Sequence, residues 1–199
     1  MDSRESRNDP LSDLTFDDLE KEVNAEQDAL CIYKDDDSID RSLDFTIIRN
    51  YGKLSNRKKA PSFVLVERSG IMRYELRCLK DDDSSGKGIV LDVKELIVLS
   101  TALKGFDFEA IYDNPIRYCN IEDATVMFFC LIAKLSTSSN KKGDWQKEVN
   151  IIDWGCGARV DFRKWTSDYN KHRRGLRISL EELRNLKAII ETLFKEENI

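Results

Sequence analysis

Two stretches, FVLVERSGIMRYELRCLK at residues 63–80 and VNIIDWGCGARVDFRKWT at 149–166, decide how this chain is read. At a constant offset of 86, Glu67 meets Asp153, Arg73 meets Arg159, Glu75 meets Asp161 and Arg77 meets Arg163. Downstream, GKGIVLDVKELIVLSTAL (86–103) meets RRGLRISLEELRNLKAII (173–190) at an offset of 87. Upstream, Lys53-Leu54-Ser55 meets Lys134-Leu135-Ser136 at an offset of 81. The register changes only where turns belong, in the first hairpin and in the loop before the helix. Chance likeness rarely keeps register across three segments, so the chain carries an internal repeat of about 60–70 residues.

Each copy follows one plan. An apolar stretch (Phe45–Tyr51; Val126–Leu135) leads through a polar turn to a second strand (Phe63–Glu67; Val149–Asp153). Glycines then break the chain at Gly70 in one copy and at Gly155 and Gly157 in the other. The third strand alternates: Arg73, Glu75 and Arg77 oppose Tyr74, Leu76 and Cys78, and Arg159, Asp161, Arg163 and Trp165 oppose Val160 and Phe162. Period-two alternation predicts one buried and one open face. A short fourth strand (Gly88–Leu91; Gly175–Ile178) runs into a capping box, Asp92-x-x-Glu95 or Ser179-x-x-Glu182, which opens a helix. The apolar helix stripes are Val93, Leu96, Leu99 and Leu103 in the first copy, and Leu180, Leu183, Leu186 and Ile190 in the second. One such unit is too small to cover its own sheet and helix. The expected fold is therefore α+β: two tandem β-β-β-β-α units, each a curved antiparallel sheet with a C-terminal helix, packed as an intramolecular pseudo-dimer.

The 199 residues include 41% hydrophobic and 35% charged residues, which excludes a membrane protein and a wholly disordered chain. The longest apolar run, Ala124 to Ala133, is too short to span a bilayer. The N-terminus lacks the basic-then-apolar plan of a secretory signal. Five scattered cysteines without a CxxC pair argue against a disulfide framework or a zinc site and for a reducing, intracellular compartment. The net charge of −5 is divided unevenly. Residues 1–42 form an acidic, mostly disordered tail with 14 acids and 5 bases, in which Leu11, Leu14, Leu19 and Val23 could make a weak amphipathic helix. Residues 43–104 hold the first copy and carry +4. Residues 105–123 form an acidic connector at −4, and residues 124–199 hold the second copy at +4. Local positive potential is enough for a phosphate-binding surface, whatever the net charge.

The open face of strand three offers Arg-x-Glu-x-Arg in the first copy and Arg-x-Asp-x-Arg-x-Trp in the second, with Trp154 at the end of the second copy's strand two. Single-stranded nucleic acid needs this combination of guanidinium groups for phosphates and aromatic faces for bases. Spacing alone is also satisfied by a solvated face laced with cross-strand ion pairs. Glu75 and Asp161 are read as holding their arginine neighbours in place. Lys171, Arg173 and Arg174 form a second basic cluster, with His172 as a solvated loop residue. Trp145, Phe128 and Phe129 are read as packing residues. Gly86-Lys87-Gly88 lacks the full phosphate-loop pattern, and the triples Asp35–Asp37 and Asp81–Asp83 lack calcium-loop spacing. No base stands beside Cys156, so an enzyme is the least favoured class, and no cofactor or metal is expected.

The second copy resembles the positive cofactor four family, transcriptional coactivators that bind single-stranded DNA, and especially its short bacterial-type members. The likeness rests on Asp153-Trp154, the strand Val-Asp-Phe-Arg-x-Trp (160–165), the basic-Gly-hydrophobic turn (174–176) and the helix start Ser-Leu-Glu-Glu (179–182). The first copy matches the same plan more weakly. The resemblance implies a curved four-stranded sheet with a C-terminal helix, and a chain that fuses two subunits of a homodimer. It places the stacking aromatics on Trp154 and Trp165, and groove-lining bases on Arg159, Arg163 and Lys134. In the first copy Arg68 stands in place of Trp154 and Leu79 in place of Trp165, while Arg73 and Arg77 remain. Arg68 and Lys53, the counterpart of Lys134, complete the candidate set.

Two functions follow as expectations. One is a protein that binds single-stranded DNA, or RNA, in transcription regulation or genome maintenance, with a nuclear location and a transcription-machinery partner for the acidic tail. The other is a protein-interaction subunit of a transcription or RNA-processing complex with weak or no nucleic-acid affinity. Further homodimerisation is compatible with both.

Overall fold

A computed structural model of the chain describes residues 45–79, 86–113, 115–121, 124–140 and 143–197. The expected acidic, disordered tail (1–42) and the acidic triples Asp35–Asp37 and Asp81–Asp83 lie outside the described residues. The first sheet has the order β1-β2-β3-β4, from Thr46–Lys53, Ser62–Arg68, Ile71–Arg77 and Gly88–Leu91. Helix α1 (Val93–Lys104) follows. A 3-10 turn (Ala110–Asp113) then precedes a second sheet of order β5-β6-β7-β8-β9: Arg117–Ile121, Ala124–Asn140, Gly143–Asp153, Ala158–Thr166 and Leu176–Ile178. Helix α2 (Leu180–Glu197) closes the chain. All neighbouring strands are antiparallel. No described helix is long and apolar enough to cross a membrane.

The strands form where alternation and turn chemistry agree. β2 and β3 join through Ser69 and Gly70, both at positive φ (52° and 76°), as a two-residue turn with the twist of a hairpin demands. Both capping boxes close. Asp92 accepts from the Glu95 N–H at 2.8 Å while Glu95 accepts from the Asp92 N–H at 3.1 Å. Ser179 and Glu182 repeat this at 3.1 and 2.8 Å. Gly88 and Gly175 sit where the chain crosses close to the preceding strand: a Cβ on Gly175 would lie 2.5 Å from the Phe162 carbonyl oxygen.

Three expectations need correction. The acidic connector is not merely a link, because β5 lies in it and pairs with the start of β6, so the second sheet has five strands rather than four. The β6–β7 arm runs far longer than the corresponding β1–β2 hairpin, and the residues added in the second copy lengthen that arm. Val93 is not part of the buried stripe; it is 42% exposed, and Leu96, Leu99 and Leu103 carry the contact.

One core gathers the inner faces of both sheets (Phe63, Tyr74 and Leu76; Val149, Val160 and Phe162) with the buried stripes of both helices. Polar contacts across the two halves repeat each other. Glu95, at the start of α1, is buried and accepts from Lys147 Nζ at 2.7 and 2.6 Å and from the Ser136 hydroxyl. Glu182, at the start of α2, is buried and accepts from the Ser55 hydroxyl at 2.8 Å and from Arg57 Nη2 at 2.7 and 2.8 Å. Ser55 and Ser136, and Glu95 and Glu182, are the pairs that the repeat equates.

Both carboxylates make testable contributions. Lys147→Met strands Glu95 in the interior, with an expected loss of about 3 kcal/mol in chemical denaturation. The double variant Lys147→Met/Glu95→Gln recovers part of it, because no buried charge is then left over. Burial pushes the Glu182 carboxyl up, but hydrogen bonds from Arg57, the Ser179 N–H and Ser55 outweigh it and hold the group below its ordinary value. A pKa lower in the folded than in the unfolded chain stabilises above the unfolded value and is lost as pH falls through the folded one. Stability is expected to fall below about pH 4, with a shallower fall in Glu182→Gln. Thermal melts between neutral and acidic pH measure this.

Candidate nucleic-acid interface

The outer face of the second sheet holds the candidate site. Register places Arg159, Asp161, Arg163 and Trp165 of β8 beside Ile152, Asn150, Glu148 and Gln146 of β7, and Lys134 of β6 beside Glu148. Trp154 follows β7, where Asp153 Oδ1 accepts the N–H groups of Gly155 (2.7 Å) and Cys156 (2.9 Å) and turns the chain back. The Trp154 ring stacks on Trp165 with centroids 5.9 Å apart and planes 13° from parallel. The Arg163 guanidinium lies over both, 4.7 Å from the Trp154 centroid and 5.6 Å from that of Trp165. Arg163 is fixed by two hydrogen bonds to Asp161, at 2.9 and 3.1 Å. Arg77 is fixed in the same way by Glu75, with Nε to Oε2 at 2.6 Å. The acidic partners therefore hold the arginines, as the sequence suggests.

The face is much less open than alternation predicts. Trp165 is 0% exposed, so it is not the free stacking platform expected of it. It is not under a helix. It is covered on its own sheet face by Trp154, Phe128 (5.3 Å), Tyr169 (5.8 Å) and His172 (5.5 Å). Phe128 packs, as read, but it packs here with Ile121, Val126 and Ile152 as a second small core. Glu75, Asp161, Arg77 and Arg163 are likewise buried, each carboxylate set against its guanidinium, although Glu75 Oε1 has no hydrogen-bond partner among the described residues. Trp154 is half-buried, with its ring nitrogen out of reach of solvent.

The basic candidates divide. Lys134, Arg73, Lys53, Lys171, Arg173 and Arg174 are exposed, and Arg159 and Arg68 are half-buried. Arg173 lies over the ring of Trp145 at 4.7 Å. Lys53 donates to the Lys58 carbonyl at 3.3 Å. In the first sheet Arg68 and Arg77 lie over the Phe45 ring, at 5.6 and 5.0 Å, and the neighbouring Val64 and Val66 are fully buried. The first copy's face thus holds an aromatic ring of its own where the second copy offers Trp154.

Sequence reasoning missed three residues. His172 is not a solvated bystander: its ring meets Trp154 edge-on at 5.2 Å, and Nδ1 accepts from Arg163 Nη1 at 2.8 Å. The same Nδ1 lies 3.3 Å from the Arg173 carbonyl oxygen. Arg117 of β5 lies over Tyr169 (4.5 Å) and Phe128 (4.9 Å). Tyr169 donates to both oxygens of buried Glu148 at 3.0 Å; burial pushes its phenol pKa up and the Glu148 charge adds to this. An aromatic inside the polar loop Ser167–Lys171 was the available signal.

No family model matches the chain, and no curated protein matches it.

Proposed function

We propose that this chain is a duplicated single-strand nucleic-acid-binding module whose second half carries the working face, acting in transcription or genome maintenance. The observation that carries the reading is the Trp154–Trp165 stack beneath the Arg163 guanidinium, flanked on that sheet face by Arg159 and Lys134. Unstacked bases seek aromatic faces, and phosphates seek exposed bases such as Lys134. The half-buried Trp154 is the platform that a base reaches first, and Trp165 backs it. The first half serves as the structural partner. The reciprocal contacts of Glu95 with Ser136 and Lys147, and of Glu182 with Ser55 and Arg57, support a pseudo-dimer in which each helix start is locked by the other half. One strand per chain is the expected stoichiometry, because Arg68 and Leu79 stand in the first half where Trp154 and Trp165 stand in the second.

The second reading, a protein-interaction subunit, is favoured by the solvent face of α1, where Val93, Ile97 and Val98 are 42%, 44% and 39% exposed. Titrating labelled single-stranded DNA, duplex and RNA against the intact chain at two salt concentrations separates the two. Single-strand binding that weakens with salt supports the first reading. Negligible binding at physiological salt, with a stable protein partner in a pull-down, supports the second.

A further inference from the structure

Tyr169 is the one bulky residue held at positive φ, 59°, among the described residues. A tyrosine adopts that backbone only where its surroundings over-determine it. Its ring lies against Trp165 at 5.8 Å and Phe128 at 5.5 Å, with the Arg117 guanidinium 4.5 Å from its centroid. Its hydroxyl faces both oxygens of Glu148 at equal distances of 3.0 Å. Glu148 is 1% exposed, its other donor is Asn150 Nδ2 at 3.0 Å, and no described cation pairs with it. A buried carboxylate is out of place on a phosphate-binding face, since it repels the backbone. It is well suited to a base, whose ring N–H groups it can accept. On the same ring cluster, the Trp165 Nε1–H is buried without a hydrogen-bond partner among the described residues.

We propose that Tyr169 fills a nucleobase pocket walled by Trp165 and Phe128 and floored by Glu148, and that the pocket's ligand is a guanine of the bound strand. The inference rests on the single-strand reading above and names the base it selects. Tyr169 stands in for the ligand: a flat ring set edge-on to Phe128 (76° between planes) and tilted against Trp165 (48°), under a guanidinium, with a donor aimed at the carboxylate fork. Guanine alone among the bases presents two adjacent donors, N1–H and the 2-amino group, and so matches both carboxylate oxygens. Thymine and uracil set carbonyl oxygens beside their single ring N–H, which the carboxylate repels. Binding swings Tyr169 out and releases its backbone from the left-handed region.

The test is fluorescence anisotropy with the full chain and short oligothymidine strands that differ only at one central base: thymine, adenine, guanine or hypoxanthine, which lacks the 2-amino group. The guanine strand is expected to bind about tenfold tighter than the adenine strand, with hypoxanthine between them. Glu148→Gln is expected to remove the preference for guanine over adenine. Tyr169→Ala is expected to tighten guanine binding and to expose Trp165 to acrylamide quenching. Strands that all bind alike overturn the guanine pocket and leave the single-strand reading standing. Failure of every strand to bind overturns both. Should either variant fail to fold, the four-base comparison on the unaltered chain decides alone.

Discussion

Alanine at Trp154 is expected to lower single-strand affinity by about 10- to 100-fold, the loss of one base–aromatic stack. The ring is half-buried and carries no strand register, so the fold should persist. It also contacts Arg163 and His172, and both keep other partners when it goes: Asp161 for the arginine, the Trp165 ring for the histidine. Anisotropy at constant salt, with a thermal melt of the same sample, measures both quantities. The slope of log affinity against log salt should stay unchanged, because no phosphate contact is removed. Unaltered affinity in a folded Trp154→Ala chain removes the stacking argument.

Alanine at Trp165 is expected to act differently, costing about 3–5 kcal/mol of stability. That ring is fully buried and touches Trp154, Phe128, Tyr169 and His172, so its removal opens a cavity at the meeting point of four aromatic neighbours. For a chain of this size, a melting point lower by roughly 10 °C corresponds to that loss. Any affinity lost with Trp165 therefore reports collapse of the platform's support as well as stacking. Trp154 is the cleaner probe, although the sequence presents the two indoles as equals. A Trp165→Ala chain that melts with the unaltered protein shows that the ring leaves its place at little cost, contrary to the packing described.

The order of the four repeated strands in each sheet, both capping boxes and the helix stripes from Leu96 and Leu183 onward were legible because each depends on neighbours in sequence. Asp92 and Glu95, or Arg73 through Arg77, announce their geometry within a few residues. The burial of the outer face was not legible, because alternation marks which residues share a side but not what lies over it. Asp161 and Arg163 read as a solvated pair or as a ligand site; in the fold they neutralise each other and are covered. β5 was hidden by its setting, since Arg-Tyr-Cys-Asn-Ile is short and sits between acidic residues. Tyr169, His172 and Arg117 come from a loop and from the connector, and only the curl of the second sheet brings them to Trp165. Lys134 and Arg159 were placed on the intended face by register alone.

Phe45 beneath Arg68 and Arg77 has a consequence for how such a molecule can change over time. In an assembly of two identical chains every substitution is made twice, so a ring that blocks one groove blocks both, and selection must tolerate the pair or neither. With both halves in a single chain the two copies are able to differ: Phe45 lies beneath Arg68 and Arg77 in the first, Trp154 and Trp165 lie beside Arg163 in the second, and a substitution in one half is not repeated in the other.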